Sequence, residues 1–140
     1  MTAREYLGRI RSENIKIKQK MEQLEMLQQA AISSGINLDA DRVQTTPKEG
    51  APEIIIKYLD LEAEIKIDVE RRERVRDDVI SMIHKLEDDK QVKILYEKWV
   101  KGRKVEDIAC DFPYSEKHAW RIYSEGMKEV EKIIKISEKS

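Results

Sequence analysis

Apolar residues recur at intervals of three and four along most of the chain, which is the spacing of one face of an α-helix. No segment alternates between apolar and polar residues for long enough to predict a strand. Five glycines and three prolines in 140 residues leave few positions that would interrupt a helix. The sequence therefore predicts an all-α protein.

The first predicted helix runs from Thr2 to Ile32. Thr2 precedes Glu5 by three residues, which is the spacing of a capping box. Apolar residues and two polar ones form a regular seam that predicts coiled-coil-like packing: Leu7, Ile10, Asn14, Ile17, Met21, Leu24, Gln28 and Ala31. Residues 36–52 are rich in Asp, Thr, Pro and Gly and are predicted to be a connector.

The second predicted helix begins near Glu53 and has a longer seam, which Asp68 and Arg72 interrupt. Its apolar members are Ile54, Tyr58, Leu61, Ile65, Val75, Val79, Met82 and Leu86. We expect the two helices to form an antiparallel hairpin over residues 1–88. An isolated pair would leave an apolar stripe exposed. We therefore expect a homodimer, or packing of the hairpin against the C-terminal part.

At Asp88 the long seam ends, and shorter segments with other patterns follow. An apolar segment at 92–100 is followed by a basic turn at 101–104 and a short apolar segment at 105–109. A break at 112–114 then precedes a helix at 115–126, for which Ser115 is the N-cap. This order predicts a helix-turn-helix module over residues 89–140, with the recognition helix at 115–126.

In such a module the outer face of the second helix enters the major groove of DNA. The residues predicted to face the bases are Glu116, Lys117, Trp120, Arg121 and Ser124. A second set is predicted to contact phosphates, which position a protein without reading sequence: Lys98, Lys101, Arg103, Lys104 and Ser115. Arg121 is favoured for reading sequence, because arginine is well suited to guanine.

The C-terminal residues that stand at characteristic positions are Trp99, Gly102, Glu106-Asp107-Ile108-Ala109, Tyr114-Ser115 and Ile122. With them, residues 92–130 resemble region 4 of sigma-70 factors, and the spacing matches without a gap. The resemblance implies a DNA-binding transcription regulator, with RNA polymerase as a second partner. Pro113 at the turn departs from that family, and so do Glu116 and Trp120 where arginines are common. We therefore do not carry the promoter specificity of that family over to this chain.

Three segments extend the resemblance towards the N-terminus: Ala3-Arg4-Glu5-Tyr6-Leu7, Val43-Gln44-Thr45-Thr46 and Tyr58-Leu59-Asp60-Leu61-Glu62. With them the whole chain resembles a family of small phage and prophage proteins of Gram-positive bacteria. That family combines a helical N-terminal part with a sigma region 4-like C-terminus and is related to late-gene regulators of the ArpU and RinA kind. The resemblance implies a sequence-specific regulator of phage or prophage genes.

The charge distribution leaves two alternatives open. Residues 1–88 carry 15 basic and 18 acidic residues, and residues 89–140 carry 12 and 10. The C-terminal part is thus only mildly basic, below the signature of a tight DNA binder. One alternative is a protein-interaction adaptor that docks on RNA polymerase or a phage protein. The other is a small-terminase-like DNA packaging component, whose subunits form rings larger than dimers.

The remaining chemistry argues against an enzyme. His84 and His118 lack the spacing of a metal-ligand pair, and the sequence has neither a Gly-rich phosphate loop nor a nucleophile elbow. We therefore expect no catalytic residue, no metal and no cofactor. The single cysteine, Cys110, fits a reducing compartment. Neither a signal peptide nor a membrane span is expected, so the predicted location is the cytoplasm of a bacterial host.

Overall fold

The computed structural model describes residues 1–36, 52–113 and 115–139, and this part of the chain contains helices and no strand. The prediction of an all-α protein is confirmed. The helices are α1 (Ala3–Leu7), α2 (Arg9–Ser33), α3 (Glu53–Ile83), α4 (Asp89–Leu95), a π-helical turn (Tyr96–Val100), α5 (Val105–Ala109) and α6 (Glu116–Lys139). The predicted connector lies outside the described residues except for Ile36 and Pro52.

The chain divides into two compact units. Unit 1 comprises Met1–Ser12 and Arg72–Ser140, and unit 2 comprises Glu13–Arg71. The predicted domains, 1–88 and 89–140, divide the chain at a different place. The difference arises because α1 packs against α6, so the first residues of the chain belong to the same unit as the C-terminal helices.

The first predicted helix is interrupted at Gly8, which separates α1 from α2. The predicted cap at Thr2 is confirmed, because its hydroxyl oxygen accepts a hydrogen bond from the Glu5 backbone N–H at 3.1 Å. The Thr2 hydroxyl also donates to the Glu5 carboxylate at 3.2 Å. A short N-terminal helix of five residues is thereby capped and held against α6.

The core of unit 1 draws side chains from every helix of that unit. Its most buried residues are Leu7, Ile10, Val79, Ile83, Ile94, Leu95, Val105, Ile108, Ala119 and Val130. Burial of one large aliphatic side chain contributes about 1.5–3 kcal/mol. Ile83 was not on the predicted seam. It is buried because a helix in a globular core covers a wider face than the two-position seam of a coiled coil.

In unit 2 the predicted seam is confirmed at Ile17, Ala31, Tyr58 and Leu61, which are all buried. It is wrong at Met21, whose side chain is 56% exposed. The miss is local, because the next seam position, Leu24, is partly buried in the same unit and Ala31 is fully buried. The seam of the second helix likewise missed Ile55, which is buried.

Asp68, which the sequence placed as an interruption of the seam, is buried within unit 2, with 4% of its surface exposed. Its carboxylate pairs with Lys20 at 2.6 Å and with Arg71. Arg71 also pairs with Glu13 at 3.1 Å, and Lys20 with Glu64 at 3.6 Å. From Glu13 to Lys20 along α2, the paired residues on α3 run in the opposite direction, from Arg71 to Asp68 and Glu64.

Replacing Asp68 with Asn is expected to destabilise unit 2 by about 1 kcal/mol at neutral pH, which is the low end of the range for loss of a buried partner. Lys20 and Arg71 would lose a buried acceptor, but both are partly exposed and can turn to water. Lys20, and then Arg71, lower the pKa of Asp68. The stabilisation is therefore present above the unfolded pKa of about 3.9 and is lost as the pH falls through the lower folded pKa.

Urea unfolding of the wild type and Asp68→Asn, followed by circular dichroism between pH 2 and pH 7, measures this difference. The free energies of unfolding of the two proteins, plotted against pH, should converge at the acid end. The exposed carboxylate of Asp60 provides a matched control, Asp60→Asn, which should follow the wild type at every pH. A gap between wild type and Asp68→Asn that widens on acidification would contradict the prediction.

Candidate nucleic-acid interface

The helix that precedes the predicted motif, α4, begins at a capped end. The Asp88 carboxylate accepts hydrogen bonds from the backbone N–H groups of Lys90 at 2.8 Å and Gln91 at 3.4 Å. After α4 the chain continues into the π-helical turn, where the Lys101 N–H donates to the Tyr96 carbonyl at 3.2 Å. Such turns occur mostly as single insertions in helices, frequently at functional sites.

Gly102 reverses the chain after the π-helical turn. Its φ angle of +75° lies in the left-handed region, which glycine adopts without a steric penalty. The Arg103 N–H then donates to the Glu97 carbonyl at 3.1 Å, and α5 begins two residues later. In the segment 105–109, which the sequence marks as apolar, Val105, Ile108 and Ala109 are buried.

The turn from α5 to α6 needs no left-handed residue at Pro113. Three backbone hydrogen bonds of the i→i+3 type close the end of α5, the last from Phe112 N–H to the Ala109 carbonyl at 3.3 Å. Among the described residues, positive φ angles occur only at Gly35 and Gly102, and Tyr114 lies outside those residues. Ser115 then caps α6, since its hydroxyl oxygen accepts from the His118 N–H at 3.3 Å.

The inner face of α6 is apolar and fits closely against α4. Its buried residues are Ala119, Ile122, Tyr123, Gly126, Val130 and Ile134. Near the end of this face Ile133 is only partly buried, whereas its neighbour Ile134 is buried. A Cβ atom on Gly126 would lie 3.2 Å from Leu95 Cδ1 and 3.3 Å from Gln91 Cβ. Glycine therefore permits a close approach of the two helices.

The outer face of α6 is polar and forms a shallow, open depression with a volume of about 480 Å³. It is lined by Ser115, Lys117, His118, Trp120, Arg121 and Ser124. Four of the five predicted base-facing residues thus lie together. Glu116, the fifth, is exposed at the start of the helix but does not line the depression.

Two side chains of this outer face have defined neighbours. Arg121, which is 73% exposed, pairs with Glu125 at 3.4 Å. Trp120 stands edge-on to Tyr123, with 5.5 Å between the ring centroids. Tyr123 is itself buried, and this burial raises the pKa of its hydroxyl. Trp120 is thereby supported from the core side, while 40% of its surface remains exposed.

The predicted phosphate contacts differ in their surroundings. Lys98 lies over the Trp99 ring at 5.6 Å, and Lys104 is exposed at the start of α5. Lys101 pairs with Glu97 at 3.0 Å. Arg103 pairs with Glu97 at 3.2 Å and also with Asp111. The basic turn therefore carries its own counter-charges.

Sequence reasoning missed the acidic partners of these cations. Lys101 and Arg103 lower the pKa of Glu97, with Lys101 as the larger cause, and Arg103 lowers the pKa of Asp111. The i,i+4 spacing of Glu97 and Lys101, and of Arg121 and Glu125, is a signal that could have revealed two of the pairs. The bond from Arg103 to Asp111 spans eight residues, and no helical spacing predicts it.

Other chemistry is limited in the part of the chain that the structure describes. Within it, no group of three His, Cys, Asp or Glu residues is arranged to hold a metal ion. Cys110 is exposed, and its thiol lies 3.7 Å from the Glu106 carbonyl. None of the helices in the described ranges combines the length and the apolar character needed to cross a bilayer.

Comparison with known proteins adds no relative to this picture: no family model, no curated protein and no solved structure matches the chain.

Proposed function

We propose that the chain is a sequence-specific DNA-binding regulator of transcription, of the phage or prophage class that its sequence resembles. One observation carries the proposal: α6 begins at a serine cap and presents Lys117, Trp120 and Arg121 together on its outer face. Its inner face packs on α4 through Gly126. A rigid helix with a cationic and aromatic outer end has the properties that reading of a major groove requires.

The helical N-terminal part has a supporting role in this proposal. The ion pairs between α2 and α3, Lys20 with Asp68 and Glu13 with Arg71, have the order of an antiparallel hairpin. Such a hairpin, by joining two copies, would set the distance between two recognition helices. RNA polymerase is proposed as a second partner on the strength of the sigma region 4 resemblance. No enzymatic activity, metal or cofactor is part of the proposal.

Arg121→Ala is expected to reduce the preference for a specific site over unrelated DNA by about 1–3 kcal/mol. The reason is that a guanidinium reads a guanine through two hydrogen bonds, for which Arg121 would exchange its contact with Glu125. The measurement is fluorescence anisotropy with two duplexes, one from the region upstream of the protein's own gene and one unrelated. Both are titrated at two salt concentrations.

Lys132→Ala is the matched control for this experiment. Lys132 is 69% exposed on the same helix and pairs with Glu129 at 3.1 Å, much as Arg121 pairs with Glu125. It lies outside the depression, so its loss should leave the preference unchanged. Equal loss of preference in both variants would point to a general charge effect. No binding of the wild type to either duplex would reject direct DNA recognition.

A homodimer is proposed because unit 2 keeps many apolar side chains in water. Its large exposed apolar residues are Ile15, Met21, Met26, Ile32, Ile56 and Ile67. Ile15 and Met26 are eleven residues apart and therefore share a helix face. Light scattering should give twice the 16.5 kDa of one chain for the wild type. The double variant Ile15→Glu, Met26→Glu should give the mass of one chain. A wild-type mass of more than two chains would favour the ring-forming packaging alternative.

The adaptor alternative also has a supporting observation. Glu97 and Asp111 neutralise Lys101 and Arg103, which lowers the positive potential of the basic turn. Trp120 is moreover 40% exposed, and exposed aromatic side chains are enriched at protein interfaces. If wild type binds no DNA at low salt but binds purified RNA polymerase, and Trp120→Ala abolishes that binding, the adaptor function replaces the regulator function.

A further inference from the structure

Four charged side chains, Glu97, Lys101, Arg103 and Asp111, form the Arg103 cluster. One terminal nitrogen of Arg103, Nη1, donates to the Glu97 carboxylate at 3.2 Å and also to the Asp111 carboxylate. The other, Nη2, donates to the Asp107 carbonyl at 3.3 Å. A single guanidinium thus links the π-helical turn, α5 and the residues after α5.

The cluster is poorly suited to contact a phosphate. Its two acidic and two basic side chains cancel, so it adds no net charge to the surface. Nη1 has two N–H groups, and both already have carboxylate acceptors. A phosphate at Nη1 would have to displace one of these carboxylates, Asp111 or the Glu97 side chain, which is only 14% exposed. Lys104, the next residue along the chain, is exposed, and among the described residues no carboxylate forms an ion pair with it.

The backbone around Arg103 is arranged for this linking role. Gly102, with its φ angle of +75°, turns the chain so that Arg103 returns over Glu97. There the Arg103 N–H donates to the Glu97 carbonyl at 3.1 Å, and the side chain reaches the Glu97 carboxylate. Both the backbone and the side chain of Arg103 are therefore hydrogen-bonded to Glu97 of the π-helical turn. Because α5 packs on α6, this connection also fixes the support of the outer face.

We propose that Arg103 is a positioning residue that holds α5 against the π-helical turn, and that Lys104 is the cation this turn offers to a DNA phosphate. The assignment of Lys104 rests on the proposed function, whereas the positioning role of Arg103 does not. Lysine cannot replace arginine in the cluster, because a compact ammonium lacks the planar fork that reaches acceptors in several directions.

Two charge-conserving variants test the positioning role without DNA. Thermal unfolding of the full chain is followed by circular dichroism for wild type, Arg103→Lys and Lys104→Arg. Arg103→Lys should lower the midpoint by about 2–6 °C, and Lys104→Arg should stay within about 1 °C of wild type. Equal midpoints for Arg103→Lys and Lys104→Arg would overturn the positioning role.

The salt dependence of binding to an unrelated duplex tests the phosphate contact. The slope of log K against log salt concentration is negative, and loss of one phosphate contact decreases its magnitude by about 0.9. Lys104→Gln should show this decrease with an unchanged unfolding midpoint, and Arg103→Lys should keep the wild-type slope. An unchanged slope for Lys104→Gln would overturn the assignment of Lys104. If wild type binds no duplex, the proposed function and this assignment both fail, and the midpoints alone still decide the role of Arg103.

Discussion

Leu95→Ala is expected to lower the free energy of unfolding by about 2–5 kcal/mol. Leu95 is fully buried at the end of α4, and its Cδ1 lies against the position of Gly126 on α6. Removal of three carbons there leaves a cavity at the contact that holds the two helices together. Urea unfolding with circular dichroism measures the change. Ile136→Ala, on an α6 side chain that is 70% exposed, should cost almost nothing.

A second substitution at Gly126 makes this test specific to the contact. Alone, Gly126→Ala should change stability little, because the gain of about 0.5–1 kcal/mol in helix propensity is offset by crowding. Its Cβ would lie 3.2 Å from Leu95 Cδ1 and 3.3 Å from Gln91 Cβ. In the Leu95→Ala background the first of these neighbours is absent. The double variant should therefore be more stable than the sum of the single effects by about 0.5–3 kcal/mol. Strict additivity would contradict the close contact.

Two helix starts and one local turn of this fold could be predicted from the sequence. The caps at Thr2 and Ser115, and the turn around Gly102, follow from short-range chemistry between residues within three or four positions. Such interactions are encoded by neighbouring letters of the chain. The same holds for the inward positions Val105 and Ile108 of α5, whose spacing leaves one buried face.

The grouping of distant segments could not be predicted in this way. The seam predicted one continuous first helix, yet Gly8 divides it and α1 packs with the C-terminal helices. A helical pattern states which side of a helix is apolar but not which other helix covers that side. Met21 shows the same difficulty within one helix, because its seam position is apolar and yet its side chain stays 56% exposed.

In the candidate site, the outer face of α6 could be predicted but the state of its cations could not. A helical wheel places Lys117, Trp120 and Arg121 on one side, and these residues line one depression. The sequence gives no sign that Arg103 reaches Asp111, since that contact depends on the direction of the chain after Gly102. A run of basic residues can therefore present much less positive charge to solvent than its sequence suggests.

Leu7→Ala is also expected to destabilise the protein by about 2–5 kcal/mol, although Leu7 lies far from the C-terminal helices in sequence. Leu7 is fully buried in the same core cluster as Ile94 and Val130. If residues 1–88 formed an independent hairpin, the loss would not affect the C-terminal helices. Since α1 packs on α6, we expect the loss to weaken unit 1 as a whole.

A spectroscopic probe can locate the effect of Leu7→Ala in unit 1. The chain has two tryptophans, so Trp120→Phe leaves Trp99 as the sole reporter. A Cβ built on Gly8 would lie 3.6 Å from the Trp99 ring, which places the end of α1 beside this reporter. Leu7→Ala should therefore shift the Trp99 emission to longer wavelength and lower its unfolding midpoint. Met26→Ala, at a side chain that is 67% exposed, should change neither. An unchanged Trp99 signal in Leu7→Ala would mean that α1 does not belong to the core that supports α6.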